Sequence, residues 1–214
     1  MLYFTCGDRG FTVEADGKTI ELTDTDPILP YRHFNLAIAE LLVELEPENT
    51  DWQMELAYAN SNLGTLFEAR GQLDAAMSRF RLTVDQVKKL VETDPANTFW
   101  QSELAESLSW LGQVQWSRGA LVEALASFRE NQQAFQALVA LESDHLLWRH
   151  KLGRSHNKVG GVLHALGRDA EARREFEHSV AIFQRLVDTD PSNTGWQAEL
   201  AINQRQLAGV LLAD

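Results

Sequence analysis

The 214-residue chain has a single cysteine, Cys6. One thiol excludes an internal disulfide framework and a cysteine-based metal cage. No run of eighteen apolar residues occurs, so no transmembrane helix is expected. The opening residues, Met1-Leu2-Tyr3-Phe4-Thr5-Cys6, lack a basic start and a small-residue cleavage site, which speaks against a secretory signal and for the cytoplasm. Basic residues are scarce: 19 Lys and Arg stand against 31 Asp and Glu, a net charge of −12. That balance excludes nonspecific attraction to nucleic acid or to an anionic membrane surface. Enzyme signatures are missing too, with no P-loop, no dinucleotide fingerprint, no His-Glu-x-x-His and no serine elbow. With 44% apolar and 23% charged residues, the expectation is an ordinary globular protein without catalytic chemistry.

What is present is a repeat. Trp52, Trp100, Trp148 and Trp196 lie 48 residues apart each time. The same period carries Leu56, Leu104, Leu152 and Leu200, then Gly64, Gly112 and Gly160, then Gly71, Gly119 and Gly167. Ala76, Ala124 and Ala172 follow it, as do Phe80, Phe128 and Phe176. Within a unit, Trp52, Leu56, Ala59, Leu63, Leu66 and Phe67 are spaced as one face of a helix. Thr50/Gln53, Thr98/Gln101 and Thr194/Gln197 have the spacing of a capping box. Gly71, Gly119 and Gly167 mark where the first helix stops. A second helix is expected over roughly Asp74 to Thr93, ended by Asp94-Pro95 because proline disfavours helix in the residue before it. Two helices per unit joined by a tight turn predict antiparallel hairpins, and stacked hairpins predict an all-α solenoid. The ladder tryptophans are expected in its core.

The set Leu63-Gly64, Gly71, Ala76, Phe80 and a closing acidic-Pro pair resembles the tetratricopeptide pattern. It returns as Leu111-Gly112, Gly119, Ala124, Phe128 and as Val159-Gly160, Gly167, Ala172, Phe176. The resemblance implies a right-handed α-solenoid. The departure is in length, 48 residues instead of the family's 34, with about seven added at each end of the hairpin, nearly two helical turns. It covers residues 33–214: a half unit 33–48, full units 49–96, 97–144 and 145–192, and a half unit 193–214. Residues 1–32 do not match. There Thr12–Ala15 and Lys18–Leu22 alternate around Asp16-Gly17, which predicts a short β-hairpin, as a cap or a remnant of another domain.

The function implied by the resemblance is a protein-interaction scaffold holding a peptide or partner helix on its concave face. The alternative is a regulatory or structural segment of a larger bacterial multidomain signalling or effector protein, since similar long units occur beside such domains. By the resemblance the groove would be lined by Tyr58, Ser61, Thr65, Glu106, Ser109, Gln113 and Trp116, together with Arg154, Asn157, Gly161 and His164. Charge indicates where along it a ligand would sit. Residues 145–192 carry 8 basic against 6 acidic side chains, the sole positive block, and hold five of the six histidines. An acidic segment would be held there by Arg154 and Lys158, with Asn157 donating a hydrogen bond and Trp116 offering an apolar surface. A second reading of the same charges stays open: Lys151 facing Glu103 and Arg154 facing Glu106 across adjacent helices, as exposed pairs. Trp110 and Trp116, whose equivalents are Asn62 and Glu68, are either ligand contacts or padding against a neighbouring helix. His145, His150, His156 and His164 lie 5, 6 and 8 apart rather than at the four-residue spacing of a shared helix face, so neither metal nor cofactor is expected. The last helix, from Trp196, has no second helix to cover it, so that end is expected to be covered either by self-association or by further chain beyond Asp214.

Overall fold

The computed structural model describes the backbone of residues 2–7, 10–15, 18–22 and 28–212, and the side chains of residues 32–212. Among the described residues there are eight helices. They fall into two compact units, Met1–Asp94 and Pro95–Asp214.

The first unit contains α1 (Ile28–Leu45), α2 (Thr50–Ala69) and α3 (Leu73–Thr93), with α1 against α2 and α2 against α3. Ahead of α1 the lone hairpin expected from the sequence is not supported. Its turn, Asp16-Gly17, lies outside the described residues, and the backbone runs as three short antiparallel strands, Leu2–Gly7, Gly10–Ala15 and Lys18–Leu22. Leu36, Ala39, Ala59 and Leu63 form the apolar contact between α1 and α2.

The second unit contains α4 (Thr98–Ser117), α5 (Leu121–Leu141), α6 (Leu146–Ala165), α7 (Asp169–Thr189) and α8 (Thr194–Leu211). Each helix packs on the next in the chain. Adjacent antiparallel hairpins are thus the building block, as the repeat predicts. No helix among the described residues is long and apolar enough to cross a membrane.

Two local devices shape every hairpin. First, α2, α4 and α6 end in glycines with positive φ, 71° at Gly71, 83° at Gly119 and 71° at Gly167. The residue after each glycine closes a six-residue ring: Gln72 N–H donates to the Phe67 carbonyl, Ala120 to Gln115 and Arg168 to Leu163, each at 2.9 Å. This is the Schellman arrangement, and a β-carbon would disfavour it. Second, the helix starts are capped differently from the expectation. The cap is the residue before the threonine. Asn49, Asn97 and Asn193 accept from the backbone N–H of Trp52, Trp100 and Trp196 at 3.3, 3.1 and 3.1 Å. Gln53, Gln101 and Gln197 do not complete a capping box, and instead donate to the carbonyls of Pro47, Pro95 and Pro191 at 2.5, 2.5 and 2.7 Å. The asparagine caps because it stands in extended backbone just outside the helix, where its oxygen reaches the free N–H groups, whereas the threonine is already the first helical residue. The 145–192 unit has no such asparagine. His145 takes over, its Nδ1 accepting from Trp148 N–H at 3.3 Å and its ring stacked on that indole at 3.9 Å.

The core is phenylalanine rather than tryptophan. Phe80, Phe128, Phe135, Phe176 and Phe183 are almost wholly buried, whereas of the ladder tryptophans only Trp148 is buried, and Trp52, Trp100 and Trp196 are half-buried. The tryptophans occupy the first turn of their helices, at the end of the hairpin, where only one side finds cover. The phenylalanines stand between paired helices. Polar side chains cross-brace the same seam at the 48-residue period: Thr83 donates to the Ala57 carbonyl at 3.3 Å, Asn131 to Ala105 at 2.7 Å and Ser179 to Gly153 at 2.7 Å. A buried polar group satisfied in this way costs little, and left unsatisfied it costs about 1–3 kcal/mol.

Candidate functional site

In the second unit a cleft of about 220 Å³ runs along α4, α5 and α6. Asn131 and Phe135 of α5 lie against its inner side, and Ser155 of α6 joins them; all three are buried. Its rim carries Glu106, Ser109, Trp110 and Gln113 from α4, and Lys151, Arg154 and Lys158 from α6. Trp110 is 45% exposed there, a large apolar surface beside three cations.

Those cations are engaged across neighbouring helices. Lys151 Nζ lies 2.8 Å from Glu106 Oε1, and Arg154 Nε lies 3.7 Å from Glu199 Oε1 on α8. Lys158 Nζ donates to Ser109 Oγ at 2.6 Å and stands 5.3 Å from the centre of the Phe128 ring. The pairs expected from simple side-by-side stacking, Lys151 with Glu103 and Arg154 with Glu106, are therefore replaced. Between α4, α6 and α8 several side chains meet the residue three before their repeat equivalent, while others, Ser109 with Lys158 and Asn157 with Gln206, meet the residue one after it. Glu106 meets Lys151, Arg154 meets Glu199, and Trp116 meets Gly161. Three residues are close to one helical turn, an offset that depends on how the hairpins stack and that periodicity alone does not contain.

Burial, followed by the positive charges of Arg154 and Lys151, holds the His150 pKa below its usual 6.5, favouring the neutral ring. That ring stands edge-on to Phe183 at 5.6 Å. Glu175 on α7 lies 2.7 Å from both His156 Nδ1 and Gln132 Nε2. Burial alone would raise its pKa, but these hydrogen bonds and the His156 charge outweigh burial and leave it below 4.5. Among the described residues no three His, Cys, Asp or Glu side chains are grouped to hold a metal ion.

No protein-family model matches the chain, and no curated protein matches it. Solved structures do. The chain is similar to BtubC (BKLC) from P. vanneervenii, with a TM-score of 0.59 at 15% identity, covering 86% of this chain and 81% of that one. It is also similar to the yeast histone chaperone Hif1, a scaffold protein recruiting protein complexes to core histones, with a TM-score of 0.54 at 11% identity, covering 86% of this chain and 96% of that one. The fold is a helical repeat. At these identities the likeness concerns the fold alone.

The structure brings five of the expected groove residues, Glu106, Ser109, Gln113, Arg154 and Lys158, to the one cleft. Trp116 and Gly161 do not line it. A β-carbon on Gly161 would fall 2.6 Å from the Trp116 ring, and that ring also meets Phe128 edge-on at 6.2 Å. Trp116 thus packs between helices, one of the two readings left open for it. Asn157 is occupied on α8, its amide donating to Asn203 Oδ1 at 2.6 Å and to Gln206 Oε1. His164 closes onto Asp169 at 2.5 Å, around the end of α6. Tyr58, Ser61 and Thr65 belong to the first unit. There Tyr58 lines a separate cleft with α1, and Ser61 and Thr65 lie outside that cleft. Asn131, Phe135 and Ser155 were absent from the sequence-based set. The recurrence of Thr83, Asn131 and Ser179 at one repeat position was a signal that could have found the first of them.

Proposed function

We propose that this chain is a non-catalytic interaction scaffold of the tetratricopeptide kind, acting in the cytoplasm. Its units stack in the right-handed sense that the resemblance implies, and the α4–α6 cleft receives an acidic segment of a partner protein. The observation that carries this reading is the exposed Trp110 beside Lys151, Arg154 and Lys158 on one rim. Aromatic and arginine side chains at a concave surface are the usual anchors of recognition. The Arg154–Glu199 contact, at 3.7 Å and with Arg154 48% exposed, is loose enough for a ligand carboxylate to exchange for Glu199. A protein partner is in keeping with what is said of the scaffold Hif1.

The test is binding of fluorescent acidic, neutral and basic peptides to the purified chain and to Arg154→Glu. Acidic peptides should bind best, and the variant should bind at least about tenfold more weakly, since a charge-assisted contact contributes roughly 1.5–3 kcal/mol. Unchanged affinity alongside a shifted melt would reduce the basic rim to internal electrostatics.

A further inference from the structure

We infer that copies of this chain associate head to tail, with α8 of one copy seated against α1 of the next as the partners of a complete hairpin. The inference goes beyond the cleft reading and stands without it.

The starting point is the cross-brace. Thr83, Asn131 and Ser179 each donate to the carbonyl of the residue 26 earlier on the paired helix. Their repeat equivalent on α1 is Asn35, which is exposed. The acceptors Ala57, Ala105 and Gly153 have their equivalent in Ala201 on α8, which is also exposed although the other three are buried. Donor and acceptor of one more cross-brace are therefore present on opposite ends of the chain. Seating α1 of a second copy on α8 would join them.

Size complementarity supports the same pairing. Gly160 lies against the Phe176 ring, where a β-carbon would fall 2.8 Å from ring carbon, and Gly153 lies against Phe183 at the same 2.8 Å. On α8 these glycines become Ala208 and Ala201, and on α1 the phenylalanines become Arg32 and Ala39. At Ala208 the added methyl group coincides with the loss of the ring that would have excluded it, whereas at the Ala201 position Ala105 and Phe135 already hold a methyl and a ring in one cluster. Strands Gly10–Ala15 and Lys18–Leu22 also meet α1, and a cleft remains beside it. A cleft of about 300 Å³ beside α1 and α2 includes Asn35 and Ala39, and repeats the lining of the α4–α6 cleft without a helix in the place of α4. From α8, Ile202 is 42% exposed at the position that Glu106 holds on α4, an apolar residue suited to the Ile38, Leu42 and Trp52 side of that cleft. The two surfaces differ, so the contact is heterologous and propagates unless a ring closes.

Sedimentation of the full chain over a wide concentration range tests this. Mass should rise with concentration, and Ala201→Glu on α8 or Asn35→Lys on α1 should each weaken association at least about tenfold. Both positions are exposed, so circular dichroism and the melt should stay near those of the parent. The decisive arm mixes the two variants. Each retains one intact surface, so the mixture should form heterodimers that grow no further. A single-chain mass at every concentration would overturn the inference. So would association indifferent to both variants, or a mixture that fails to dimerise while the parent self-associates.

Discussion

Gly112 lies directly against the Phe128 ring: a β-carbon on Gly112 would fall 2.7 Å from two ring carbons, closer than side chains approach. Gly112→Ala should therefore destabilise by about 1–3 kcal/mol through overpacking, despite alanine's better helix propensity. In a Phe128→Leu background the same change should cost clearly less, and denaturant melts of the four proteins of this cycle would measure the difference. Simple additivity would disprove the contact.

Burial ranks the aromatic residues. Phe128→Ala should cost about 3–5 kcal/mol, as buried aromatic truncations do. Trp100→Ala, at a half-buried first turn, should cost roughly half as much, and Trp110→Ala less than about 1 kcal/mol. Urea midpoints for the three variants give the order, and Trp100 exceeding Phe128 would contradict it.

Cap identity separates two neighbouring residues. Asn97→Ala removes the acceptor for the Trp100 N–H and should cost about 1 kcal/mol, while Thr98→Ala, already inside the helix, should stay within about 0.5 kcal/mol. Thermal melts of the two variants side by side suffice, and a larger loss at Thr98 would restore the capping-box reading.

Acid should act in two windows. The folded-state pKa of His150 lies below 6.5, so on lowering the pH the unfolded chain takes up this proton first. Its stabilising contribution is complete above 6.5 and is lost as pH falls from there through the folded value. The folded-state pKa of Glu175 lies below 4.5, so its contribution is complete above 4.5 and lost as pH falls further. His150→Leu should flatten the first decline in melting temperature and leave the second, and Glu175→Gln should do the reverse.

Charge exchange locates the partner of Arg154. Arg154→Glu should lower stability by about 0–1 kcal/mol, and adding Glu199→Arg should recover the loss. Glu106→Arg should bring no recovery, because Glu106 pairs with Lys151. Recovery with Glu106 instead would contradict the Arg154–Glu199 pairing.

The repeat and the helix ends at Gly71, Gly119 and Gly167 were legible in the residues, because each depends on neighbours within one hairpin. The tryptophan ladder was as visible but misled about the core. Period shows that a position recurs, while burial depends on how far along the hairpin it stands.

The candidate site divides the same way. Residue types and the single positive block pointed to α6 and the part of α4 beside it, and Glu106, Ser109, Gln113, Arg154 and Lys158 do meet in one cleft. What the sequence determined by itself is local: helix, turn and the 48-residue spacing, all fixed by interactions within a few residues or one hairpin. What only the tertiary structure decided is which side chains meet across successive hairpins. Those meetings arise from packing between side chains some 45 to 49 residues apart, which turns Trp116 inward onto Gly161, gives Lys151 to Glu106, and leaves Trp110 and Arg154 at the surface.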